Sequence, residues 1–84
     1  MARPAKPIDE STYSGRFAAR LRMLREKRGL TGEQMAKTIT EAGYNCPGRT
    51  YYNWEAGTRE PPLNSLPAIA KTLCVQVRTI FPSS

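Results

Sequence analysis

The sequence predicts an all-α domain built from five short helices. Three observations carry this. Apolar residues recur at helical spacing along most of the chain. Glycines and prolines punctuate those periodic stretches where helices should start and stop. One stretch, LTGEQM, holds a complete helix-start signal. At 84 residues there is room for one small domain.

The first helix is expected to begin near Ser11 to Ser14 and to run to Arg28. Phe17, Leu21 and Leu24 fall on one face of it. Arg16, Arg20, Arg22 and Lys27 fall mostly away from that face. Gly29 is placed to end it in a left-handed cap. The second helix starts at Thr31. Its hydroxyl can cap the N-terminus while Gln34 reaches back, and Leu30 and Met35 flank the pair as a hydrophobic staple. Met35, Ala36 and Ile39 share its buried face, and it should end near Ala42.

The third helix is expected over about 47–56, with Pro47 in its first turn, where a missing N–H does no harm. At 100° per residue, Pro47, Tyr51 and Trp54 cluster on one side. Arg49, Tyr52, Asn53 and Ala56 take the opposite side. Tyr51 and Trp54 read as core. Tyr52 is either a surface that recognises something or a plain exposed aromatic. Gly57 ends the helix. Asn64 can cap a fourth helix, with Pro67 in its first turn and Leu66, Ile69, Ala70 and Leu73 on its buried face. VQVRTIF reads as a last helical turn that closes the core with Val75, Ile80 and Phe81.

Composition narrows the chemistry. There is no histidine, and the two cysteines, Cys46 and Cys74, lack metal-ligand spacing. No metal, cofactor or small-molecule substrate is expected, and no nucleophile or phosphate-cradling motif is present. The chain is expected not to be an enzyme. Cys74, in an apolar context, is expected in the core. No apolar run approaches the roughly 20 residues needed to span a bilayer, and MARPAKPIDES lacks the centre of a signal peptide. A cytoplasmic protein with no membrane contact is the expectation.

The net charge of +6 is uneven. Residues 1–28 carry +5, residues 29–60 carry −1, and residues 61–84 carry +2. A basic N-terminal third points either to a polyanion or to a solvated, solubilising helix. Residues 1–13 read as a flexible basic arm, in which Arg3 and Lys6 either wrap a duplex or form a plain tail. Residues 14–84 read as the folded domain.

The segments FAARLRMLREKRGLTGEQMA, TYYNWEAGTREP and L--IAKTLCV, in that order, resemble the lambda-repressor-like, Cro-type helix-turn-helix family. The resemblance covers about residues 16–81. It implies a five-helix DNA-binding domain whose second and third helices form the helix-turn-helix, with the third in the major groove. Carried onto this chain, it implies base reading by Gly48, Arg49, Tyr52 and Asn53. It implies phosphate contacts at the start of helix two (Thr31, Gly32, Glu33) and in and after helix three (Thr50, Thr58, Arg59). Arg16 and Arg20 of the basic first helix are expected to join them. The family often pairs an arginine of helix one with the glutamate after the tryptophan position, here Arg25 with Glu55. The alternative is that both are solvated.

Two departures from the family pattern stand out. Gly32 occupies a position where the family usually has glutamine. About five extra residues, in TITEAGYNC, lie between helices two and three. An extra turn on helix two plus a longer loop would absorb them. The function implied is a sequence-specific DNA-binding transcriptional regulator, of repressor type, whose partner is double-stranded DNA. Many relatives bind two-fold sites, so a homodimer is also implied. Two other readings are an antitoxin-type regulator that also binds a toxin, and an adaptor that keeps the fold but binds protein instead of DNA.

Overall fold

The computed structural model describes residues 11–82. The expected arm falls almost wholly outside them, with Arg3 and Lys6. The described chain is α-helical: α1 Tyr13–Lys27, α2 Gly32–Glu41, α3 Gly48–Ala56, α4 Leu66–Leu73 and α5 Val77–Ile80, with a 3-10 turn at Leu63–Ser65. None of these helices is long and apolar enough to cross a membrane.

Thr12 caps α1, its hydroxyl accepting from the Gly15 amide at 3.0 Å. Phe17, Ala18, Leu21 and Leu24 form the buried stripe. Gly29 ends the helix at φ +74°, where a side chain would be strained. Its amide donates to the Glu26 carbonyl, and the Leu30 amide reaches back to Arg25 at 3.2 Å. That reverse bond turns the chain directly into α2. Both halves of the Thr31–Gln34 capping box are present. Met35, Ala36 and Ile39 are buried behind it.

The extra residues before α3 form a fixed connection over 42–47. The Thr40 hydroxyl bonds both backbone groups of Cys46, accepting from its amide at 2.9 Å and lying 3.1 Å from its carbonyl. Cys46 is buried, and the Tyr44 ring packs tilted against Trp54 with ring centroids 6.1 Å apart. The insertion therefore adds core rather than slack.

α3 packs on α1 and α2, α4 packs on α2 and α5, and α1 touches α5. Tyr51 and Trp54 are buried among them, with Met35, Ile39, Ile69, Leu73 and Ile80.

Four expectations need correction. Pro47 stands just outside α3, as its N-cap, and is exposed rather than clustered with Tyr51 and Trp54. Its extended ψ of 153° keeps it out of the helix. Asn64 does not cap α4: it lies in the 3-10 turn, and Ser65 takes the cap position with no side-chain cap bond. The Ser65 hydroxyl is held instead by the Pro62 carbonyl at 2.6 Å. Cys74 is exposed, and Cys46 is the buried thiol. Cys74 ends α4 in the left-handed conformation, φ +58°, which swings its side chain off the buried face. Phe81 closes the core only partly. It follows the end of α5, stays 37% exposed and covers Phe17 at 5.4 Å, while Ile80 is fully buried.

Candidate nucleic-acid interface

α3 is split lengthwise. Tyr51 and Trp54 are 1% and 2% exposed, whereas Tyr52, one residue from Tyr51, is 65% exposed. Gly48 and Arg49 are exposed and Asn53 is half-buried. Arg49, Tyr52 and Asn53 sit at i, i+3 and i+4, so they share one outward stripe. The inward anchors hold the helix, and the stripe faces outward.

The start of α2 opens onto the same place. Thr31, Gly32 and Glu33 line a groove with Gly48, Arg49 and Tyr52. The capping box occupies the Thr31 and Gln34 amides. The Met35 amide makes the first bond within the helix, to Thr31. The amides of Gly32 and Glu33 remain at the positive end of the helix dipole. Gly32 has no side chain there, and the space beside its Cα is open. Small anions and phosphate groups suit such a site, although the Glu33 side chain brings a negative charge to its edge.

The floor of the groove is an ion cluster. Arg25 donates to Glu55 twice, Nε to Oε2 at 2.7 Å and Nη2 to Oε1 at 2.8 Å. Its Nη1 donates to the Leu30 carbonyl at 2.7 Å. One guanidinium thus joins α1, the turn into α2, and α3. Arg22 adds a third bond to Glu55, Nε to Oε1 at 3.2 Å. Burial alone would raise the Glu55 carboxyl; the hydrogen bonds and charge of Arg25 outweigh it and hold the group below the usual carboxylate range. The hydrogen bond to Glu55 likewise holds Arg25 above its ordinary value. The Tyr51 hydroxyl is buried beside this pair without reaching hydrogen-bond geometry. Burial first, and then the Glu55 charge, push that phenol far up.

The remaining expected residues lie elsewhere. Arg20 is anchored on the other flank of α1, where its Nε donates to the Thr79 carbonyl in α5 at 2.7 Å. It does not line the groove. The Arg16 guanidinium lies over the Tyr13 ring at 5.6 Å. Thr50 is half-buried, on the flank of α3. Thr58 and Arg59 wrap the end of α3: both backbone amides and the Thr58 hydroxyl donate to the Asn53 carbonyl. The Arg59 side chain borders a second, mostly apolar depression with Tyr13, Leu63 and Phe81.

Arg22 is the groove residue that periodicity assigned to no role. The signal was available: Arg22 precedes Arg25 by three positions, so the two stack on one side of α1.

Among the described residues, no group of histidine, cysteine or carboxylate side chains could hold a metal ion. No curated protein and no solved structure matches the chain. A sequence model of a helix-turn-helix domain matches residues 16–79, which takes in nearly all of α1 through α5. The chain belongs to the helix-turn-helix domain family.

Proposed function

We propose that the protein is a sequence-specific DNA-binding transcriptional regulator, of repressor type, acting in the cytoplasm. The observation that carries this is the divided third helix of a helix-turn-helix domain, with an exposed Arg–Tyr–Asn stripe beside the open N-terminus of α2. An α-helix fits the major groove, and its outward side chains meet base edges there. In this reading Arg49 pairs with a guanine, Asn53 with an adenine, and Tyr52 packs on base or sugar. Gly48 lets the backbone approach. Thr31, Gly32 and the Glu33 amide hold one phosphate at the start of α2, while Thr50, Thr58 and Arg59 hold the backbone on the other side of α3. The net charge of +6 supplies long-range attraction. A homodimer would place two such stripes on a two-fold site.

The test is selection of bound duplexes from a random pool, followed by salt titration on the winner. A defined motif is expected, with two half-sites if the protein binds as a dimer. About four to six phosphate contacts per subunit give a log–log slope on the order of −4 to −5. No enriched motif and no binding at low salt would remove DNA as the partner.

A further inference from the structure

We infer that Arg22 is a phosphate ligand, held in position by Glu55 before DNA arrives. This rests on the DNA-binding reading above and deepens it.

Three features, taken together, set Arg22 apart from the other arginines of α1. It lines the groove that also holds Arg49 and the start of α2. Its side chain is 29% exposed, against 15% for Arg25. Its hydrogen bonding is also incomplete. A guanidinium carries five N–H groups. Arg25 uses all three of its nitrogens, two on Glu55 and one on Leu30. Arg22 uses Nε alone, on Glu55. Its two terminal nitrogens, with four N–H groups, make no hydrogen bond among the described residues.

Charge points the same way. Two guanidiniums share one carboxylate, so the cluster holds an excess of one positive charge at the groove floor. Glu55 is buried and cannot swing out to follow either partner. The excess is therefore fixed in place, and Arg22 is the member that water or a phosphate can reach. A guanidinium edge matches two phosphate oxygens. Anchoring Nε limits the rotamer freedom that a free surface arginine would lose on binding. Arg20, by contrast, is turned to α5. Of the two arginines that α1 brings to the groove, Arg22 is the one with terminal N–H groups left for a phosphate.

The experiment is a salt titration of the full chain on two duplexes of equal length, one carrying the selected site and one of random sequence. Wild type, Arg22→Gln and Arg22→Lys are compared. Glu55 keeps both Arg25 bonds in each variant, and thermal melts check that the fold is retained. Arg22→Gln is expected to lower the slope by about one on both duplexes. At a slope change of 0.9, affinity falls about fivefold at 0.15 M salt and about fifteenfold at 0.05 M. The cognate-to-random ratio stays unchanged, because phosphate carries no sequence information. Arg22→Lys keeps the slope. An unchanged slope in Arg22→Gln, with wild type binding normally, overturns the inference and leaves the DNA reading standing. A loss of the cognate-to-random ratio overturns it as well, since Arg22 would then read bases. Failure of wild type to bind either duplex sinks the underlying DNA reading instead.

Discussion

Glu55→Ala removes the acceptor on which three N–H bonds from two arginines converge. The cost follows from what is left behind. Arg25, 15% exposed, keeps only its bond to Leu30 and cannot easily reach water. Arg22, 29% exposed, can turn outward. Removing one partner of a fully buried pair costs about 3–5 kcal/mol. Partial access of water lowers this to about 2–3 kcal/mol here. For a domain of this size that is a fall in melting temperature of about 10–20 °C. Urea melts followed by the fluorescence of Trp54, the only tryptophan, give the free energy directly. Arg22→Ala, which leaves the Arg25–Glu55 bonds intact, should cost no more than about 1 kcal/mol. Replacing Arg25 by Met and Glu55 by Leu together should cost less than Glu55→Ala alone, since no charge is then stranded. If Glu55→Ala costs under about 0.5 kcal/mol and adds simply to Arg22→Ala, the groups are solvated and the argument fails.

The same pair sets a pH dependence. Glu55 has a folded pKa below its unfolded value, about 4.3, so its contribution is complete above that value and is lost as pH falls through the folded one; Glu55→Gln should flatten the acid limb of a stability–pH curve. Arg49→Ala is expected to bring cognate binding towards the random-duplex level, a loss of roughly 1–3 kcal/mol of discrimination, whereas Arg59→Ala should weaken both duplexes alike; parallel titrations separate the two. Of the two thiols, exposed Cys74 should react promptly with a disulfide reagent, while burial both shields Cys46 and pushes its thiol up, so that its labelling should follow global unfolding. Cys74→Gly should stabilise the fold by about 1 kcal/mol, because the left-handed conformation at that position disfavours a side chain; a lower melting temperature would mean that the Cys74 side chain makes contacts outweighing this strain.

α1 to α4 were legible because each is an amphipathic stripe, and α1 and α2 also carry local start signals. The Thr31–Gln34 box needs only four consecutive residues, and it stands in the structure as read. The two faces of α3 followed from counting 100° per residue, since Tyr51 and Tyr52 differ in nothing but direction. What escaped was set by tertiary contact or by very short elements. The 3-10 turn at Leu63–Ser65 is too brief to show a period. The fates of Cys46 and Cys74 depend on the Thr40 clasp and on one positive φ, neither of which an apolar context reports. Arg20 and Arg22 are the same residue type two positions apart on one helix. Only the presence of Thr79 beside one and Glu55 beside the other gives them different surroundings.

The lengthwise division of α3 has a consequence for how such a protein can change over generations. The residues that fasten the helix and the residues that face outward are different residues. Exposed positions such as 49 and 52 can be exchanged at a typical cost within about 0.5 kcal/mol of zero. Positions 51, 54 and 55 cannot, because they hold the rings and the carboxylate that the other helices rest on. A lineage can therefore redraw its outward stripe by successive substitutions while each intermediate still folds. Preference for one partner sequence over another is free to drift on a scaffold whose stability is inherited intact.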